Sequence, residues 1–578
     1  MTVASLDDIK HDILEGEEEE NQTNMTVDTE LLISHQGDDS RQSLFTGEPN
    51  RPTAPPPPAA VYRNFVLMAI LFSIHHGCVV SCLSLATARL GAEIGAGQSG
   101  ILYLAYTGTA LLGATYSVKR VGPHRAIVGG MFLYCFYVAA FGWAAHFRTA
   151  VRTTAYVGAA LGGIGAGLVW TAQGSFFAQA ATAHAQAAAA AAAQEEHIQD
   201  DSGLHQTATT ATTTMSTSTQ DLSSQSTARM AGVFAFFYLS LELLLRSFSS
   251  VASWTALFNT YGLLTIVATI GMAVLVRPPN LVHEGSIEQL SASIVWYQVT
   301  AAIQLWKPST FSTDNGRRRR RWPVMPFLVG MNAVFGLESA FLNAYINGQV
   351  VPAQSVGIWS AWASGVAAAG SLLFGRWTAA TIANASSASG NSVNGDGDNN
   401  NDSCLSNRKG LVLSAGAASF VSVVFPFVLK PNISEWTDTN SSFSSWWIFL
   451  FIFTLHGVGR ATFEGTLKAT FADFFPHEKE GAFANIILQN GLASSLGYFL
   501  TSHLACHNDR DVYCVPYKDG TRHHTGLMEF FVLLVGVLGI SGYWQAARMV
   551  QQRRQESNER DNRMPDDHEQ EDSSRRLV

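Results

Sequence analysis

The chain has 578 residues, of which 47% are apolar and only 14% charged, and its mean hydropathy is +0.11. A soluble globular protein carries about 25% charged residues, so this composition excludes a soluble multidomain enzyme, a nucleic-acid binder and a disordered scaffold. The net charge of −9 is unevenly held: residues 1–60 contain 13 acidic against 3 basic residues, and the remainder is nearly neutral, with 33 basic and 32 acidic.

Residues 1–60 read as an acidic, disordered cytosolic tail without the basic start and apolar stretch of a secretory signal. Within it Glu17–Glu20 reads as solvated charge, and Asp28, Leu32 and Ile33 fit the short acidic-x-x-x-Leu-Ile pattern of endolysosomal sorting. About twelve apolar runs follow, each near the length of about 20 residues that crosses about 30 Å of hydrocarbon. They are 62–87, 97–118, 126–147, 153–181, 229–252, 255–276, 322–346, 354–379, 410–430, 446–467, 481–503 and 526–549, the eleventh being the weakest. The expected fold class is an all-α polytopic membrane protein. The 62–276 and 322–549 segments form two six-helix halves, and 550–578 forms a cytosolic tail. The linker 277–321 carries a capping box at Ser286 and Gln289 followed by apolar residues near helical spacing, which predicts an amphipathic helix on the cytosolic face. Its run Arg317, Arg318, Arg319, Arg320, Arg321 stands just before a span and predicts anionic-lipid contact rather than nucleic-acid binding. The Ala run 187–193 extends the fourth helix. The rest of the 182–228 insert and the 380–408 loop are polar enough to be expected disordered.

Basic residues divide about twenty to seven between the two sides when the N-terminus is placed in the cytosol, which predicts N-in, C-in topology. Cys506 and Cys514 then flank an outer polar, hairpin-like stretch and are able to form a disulfide. Asn432 and Asn440 become usable glycosylation acceptors, while Asn384 and Asn401 stay inside. Cys78, Cys82 and Cys135 lie in apolar runs as inert small hydrophobes. No Cys/His spacing predicts a metal or other cofactor.

Four motifs are specific. They are KRVGPHRAIVGG at 119–130, GAALGGIGAGLVWTAQG at 158–174, FGLESAF at 335–341 and GVGRATFEGTLKATFADFFPHEKEGAFA at 457–484. In their order and at these helix ends they resemble the uncoordinated-93-like (ion channel regulatory protein) family, a branch of the major facilitator superfamily, over about residues 62–548. The resemblance implies a major-facilitator-type 12-helix bundle in two halves. It also implies a role in regulating potassium channels or escorting receptors. One departure stands out. The superfamily's loop Gly-x-x-x-Asp-Arg-x-Gly-Arg is replaced, with Thr115 for the first Gly, Lys119 for the Asp, and His124 and Arg125 after Gly122. The residue usually paired to gate the cytosolic side is therefore missing.

The glycine pairs Gly158/Gly162 and Gly163/Gly167 predict close helix packing, either within the chain or between two copies. Ionisable residues at membrane depth cost about 2.5–3.5 kcal/mol each, so each needs a reason. Glu242 and Arg246 are one turn apart and so able to neutralise one another; Arg460, Glu464 and Lys468 repeat the pattern, with His456 one turn above. These four predict one charged stripe. Glu338 has no partner in its own helix. His75 and His76 are adjacent, so one is expected inward if the other faces lipid. Trp170 and Gln173, with Asn332, Gln489 and Asn490, line a polar route or make interhelical hydrogen bonds. The candidate cavity or partner-binding residues are therefore His75, His76, Trp170, Gln173, Glu242, Arg246, Glu338, His456, Arg460 and Glu464. No nucleophile–base pair or phosphate-cradling loop points to an enzyme. The leading expectation is a regulator or trafficking partner of a channel or receptor in the plasma or endolysosomal membrane. A secondary transporter of a small solute is the alternative.

Glycosylation mapping tests the topology. Sugar is expected on Asn432 or Asn440 and not on Asn384 or Asn401; the reverse pattern inverts the orientation.

Overall fold

The computed structural model describes residues 57–563, apart from 148–149, 201–210, 279–299, 301, 313–317, 390–397, 430–441, 476–478, 505–513, 517–521 and 525. Glu17–Glu20, the sorting pattern, the capping box, Asn432, Asn440 and Cys506 fall outside the described residues. Twelve helical rods run through the described body. Rod α1 is Pro58–Leu90. Rod α2 runs Ala92–Thr109, passes through a π-helical turn at Ala110–Ala114 and ends with Thr115–Val121. Rods α3 to α6 are Pro123–His146, Val151–Asp200, Ala211–Val251 and Trp254–Leu275. Rod α7 runs Met325–Ala340 and continues as a π-helix over Phe341–Val350. Rods α8 and α9 are Val356–Ser389 and Asp398–Leu429. Rod α10 runs Ser442–Thr462, a π turn at Phe463–Leu467 and Lys468–Phe474. Rods α11 and α12 are Lys479–Leu504 and Leu527–Arg563.

Local chemistry sets the ends. Prolines open α1, α3 and α7, where a missing N–H costs nothing. The Ser253 side chain accepts from the Ala256 N–H and caps α6. Gly91 and Gly122 take φ of +83° and +87°, which only glycine adopts freely, and there the chain reverses from α1 to α2 and from α2 to α3. The chain alternates between two ends of the bundle. At one end Arg89 lies 3.3 Å over the Trp254 ring and Arg152 pairs with Glu93. At the other, Asn64 exchanges two hydrogen bonds with the Arg277 backbone at 2.8 and 2.9 Å, and His124 meets the Met272 carbonyl at 2.9 Å.

The first six rods pack mainly on one another, as do the last six, and the halves meet through α2 with α11, α5 with α8 and α1 with the π segment of α7. Among the described residues, ten helical stretches are long and apolar enough to cross a membrane. The two rods that fall short are α2 and α11, and the reason is their position. They face each other across the middle, so small and polar residues replace apolar ones. Ser495 donates to the Gly100 carbonyl at 2.9 Å and Ser502 to the Glu93 carbonyl at 3.2 Å. The outward faces are greasy instead: Leu263, Ile266, Val267, Ile270 and Val274 of α6 are all exposed.

Two expectations are corrected, and two short hairpins appear. The 182–228 insert is not disordered where described, because α4 continues to Asp200 and α5 begins at Ala211. Alanine is the best helix former and a helix begun in the membrane needs no new nucleus to propagate. The 380–408 loop behaves likewise, with α8 reaching Ser389 and α9 starting at Asp398. In the linker, the arginine run forms strand β2 (Arg318–Arg321), antiparallel to β1 (Ser309–Ser312) in the register Ser309↔Arg321. A second hairpin pairs β3 (Cys514–Pro516) with β4 (Arg522–His524) and begins at Cys514 itself, while the stretch between Cys506 and Cys514 lies outside the described residues. Short apolar or charged tracts carry little local preference, and pairing decides them.

The glycine-rich face of α4 packs within the chain. A Cβ added to Gly162 would sit 2.8 Å from Tyr137 Cβ, at Gly165 2.7 Å from the Gly130 carbonyl, and at Gly167 2.7 Å from Thr109 Cβ. The α4 rod is thus wedged between α2 and α3, and the glycines are what let three backbones approach. Gly165→Ala is expected to lower stability by roughly 1–3 kcal/mol, since a backbone carbonyl blocks the methyl group. Gly129→Ala, where an added Cβ meets nothing within 4 Å, is expected to be neutral. Thermal unfolding of detergent-purified protein reads both.

Candidate functional site

The site lies where α5, α8 and α10 converge. Tyr238, Glu242 and Arg246 recur every fourth residue and share one face of α5. Glycines bring the neighbouring rods close: a Cβ on Gly365 of α8 would meet Leu243 of α5 at 2.8 Å, and one on Gly457 of α10 would meet the Ala363 carbonyl of α8 at 2.6 Å. At that spacing the Arg460 guanidinium of α10 reaches the Glu242 carboxylate of α5. Its Nη1 donates to Oε1 and its Nη2 to Oε2, each at 2.6 Å. Arg246 adds a third contact to Oε1 at 2.9 Å, and the Ser364 hydroxyl a fourth at 3.1 Å. Glu242 is completely buried, and the two arginines nearly so. The paired planar fork is the strongest form of ion pair, and here it joins the two halves.

The sequence pairs Glu242 with Arg246 and Arg460 with Glu464, each within one helix. The first contact exists but is secondary. The second exists as well, with Arg460 Nε 4.0 Å from Glu464 Oε1, but it is looser than the 2.6 Å contacts of Arg460 to Glu242. Glu464 also pairs with Lys468 at 2.9 Å, so the row runs on through the π turn at Phe463–Leu467. Glu338, without a partner in its own helix, is fully buried, with His456 Nδ1 2.8 and 2.9 Å from its two oxygens, joining α7 to α10. Glu242 and Glu464 thus stand with Arg246, Arg460 and Lys468, and Glu338 with His456, inside one bundle.

An aromatic wall from the first half faces this row. His76 stacks on Tyr238 at 5.3 Å and meets Trp170 edge-on at 5.1 Å. The Tyr238 hydroxyl lies 3.3 Å from both His76 Nε2 and Arg460 Nη2. Both histidines are buried, so neither faces lipid: α1 sits inside its half. His75 turns away from the charges, toward Cys135 Sγ at 3.7 Å and the Tyr134 ring. Gln173 is buried one turn beyond Trp170 on α4. Asn332 donates to Gln489 at 2.7 Å, an interhelical bond between α7 and α11. Among the described residues no group of His, Cys, Asp and Glu converges to hold a metal ion.

Residues that the sequence does not single out complete the cluster. Tyr238 precedes Glu242 by one turn, and that spacing was a usable signal. Ser364 was not legible, because only the packing of α8 against α5 brings it to the carboxylate.

Residues 91–194, spanning α2 to most of α4, match the family described as ion channel regulatory protein UNC-93. The motifs at 119–130 and 158–174 fall inside that match; those at 335–341 and 457–484 lie outside it. Among solved structures, the chain is similar to a D-xylose-proton symporter, at 10% identity, covering 84% of this chain and 96% of that chain with a TM-score of 0.46. It is also similar to the nucleoside transporter NupG in a mutant form, at 9% identity, covering 85% and 99% with a TM-score of 0.45. No curated protein sequence matches the chain.

Glu242→Gln is expected to destabilise the protein by about 3–5 kcal/mol, because two buried guanidiniums lose their shared anion. The double change Glu242→Gln with Arg460→Met is expected to be milder than Glu242→Gln alone, because one guanidinium and not two is left without the shared anion. Thermal unfolding and surface delivery measure the order; an additive double mutant would show that the two residues are not a pair.

Proposed function

We propose that this protein is a non-enzymatic membrane component that regulates or escorts an ion channel or receptor. The carrying observation is the buried clamp between Glu242 and Arg460. A bundle that alternates between two openings must separate its halves repeatedly. Breaking a buried pair by exposing one partner costs about 3–5 kcal/mol, which favours a body that holds one shape for a partner. The family match at residues 91–194 points the same way through its printed role in ion channel regulation. Replacement of the usual gating Asp by Lys119 also fits a chain released from alternating access. In this reading the apolar outer faces sit in a bilayer of the plasma or endolysosomal membrane. The arginines at 317–321 contact anionic lipid headgroups.

The alternative is a secondary transporter, and one observation favours it: Glu464 and Lys468 are partly exposed within the bundle, at 23% and 42% of their side chains. Crosslinking and affinity purification from native membranes separate the two. The regulator reading requires a channel or receptor subunit that co-purifies stoichiometrically. Uptake of a solute by proteoliposomes holding this chain alone, with no such subunit recovered, overturns it.

A further inference from the structure

The Glu464–Lys468 pair differs from the rest of the charged cluster. Glu242 is saturated by four donors and Glu338 is sealed against His456, whereas Glu464 and Lys468 hold only each other at short range and remain partly open. The Lys468 ammonium lies 5.7 Å over the Trp170 ring, so the pair on α10 faces the aromatic wall of the other half. That wall has one unused polar atom. His76 Nδ1 is buried and has no hydrogen-bond partner among the described residues, while Nε2 meets Tyr238. Buried polar atoms are almost always satisfied, so this nitrogen beside Trp170 is available to a hydrogen-bonding ligand atom.

We infer that this corner binds a small zwitterion with a planar ring, of the aromatic amino-acid class. Its carboxylate pairs with Lys468, its ammonium with Glu464, and its ring lies against Trp170 and His76. Charge balance selects the zwitterion. It exchanges one ion pair for two and leaves no charge alone. An anion would take Lys468 from Glu464 and leave it only Arg460 at 4.0 Å, and a cation would take Glu464 from Lys468 and leave that ammonium without an anion. The ring follows from the wall, since aromatic faces prefer offset or edge-on aromatic partners. The inference concerns binding and stands whether the ligand is carried across the membrane or sensed on behalf of a partner protein.

The test uses full-length protein in detergent with three labelled probes: L-tryptophan, indole-3-acetate and tryptamine. L-Tryptophan is expected to bind at least about tenfold more tightly than either singly charged analogue, as the loss of one charge-assisted contact implies. Lys468→Met and Glu464→Gln are each expected to weaken L-tryptophan by about tenfold or more. The double variant, which leaves no lone charge, is expected to fold and yet bind as poorly. His76→Phe, which keeps the wall but removes the free nitrogen, is expected to weaken binding too. Arg152→Met, at the exposed pair with Glu93, is expected to leave it unchanged. No binding of any probe, equal binding of indole-3-acetate, or full L-tryptophan affinity in the folded double variant overturns the inference. None of these results bears on whether a channel subunit co-purifies, so the two readings fail separately.

Discussion

A carboxylate fully removed from water dictates much of this bundle. Glu242 is tolerable at the centre of α5 only because four donors converge on it, two of them from one guanidinium across the midline. That convergence demands close rods. The glycines at 357, 365 and 457 supply the closeness, since a methyl group at any of them would strike a neighbour. The charged centre and the small-residue seams around it are therefore one design.

The same logic explains where apolarity is absent. The α2 and α11 rods are the least greasy because they meet each other in the middle, through serine-to-carbonyl bonds at Gly100 and Glu93. The α4 glycines let α2 and α3 close upon it, which assigns that face to intrachain packing. With these surfaces used up inside, the exposed apolar side chains of α6 and its neighbours are left for lipid.

Along α10 the interior grades from sealed to open. His456 holds Glu338 in a closed contact, Arg460 spans the halves, and Glu464 with Lys468 looks out over Trp170. The π turn at Phe463–Leu467 marks the boundary between holding the halves together and facing space. Such insertions in a helix are commonest where geometry serves function over regularity. A rigid centre beside a partly open charged corner suits a membrane body that keeps its shape and still meets a small ligand.

Much of this was written locally. Hydropathy in runs of about 20 residues determined the membrane class and nearly every rod. The prolines and glycines between runs marked the turns, and the intramembrane charges named most of the site. Spacing within one helix, however, reveals only neighbours in that helix. It did not bring Glu242 to Arg460 or Glu338 to His456, because these partners on α5 and α7 are separated from α10 by more than a hundred residues of chain. It also missed Ser364 and the helical residues described up to Asp200 and from Ala211 in the polar insert. Which face of a rod meets which other rod is decided by packing, where close approach and the cost of a lone buried charge act together. That decision exists only in the tertiary structure.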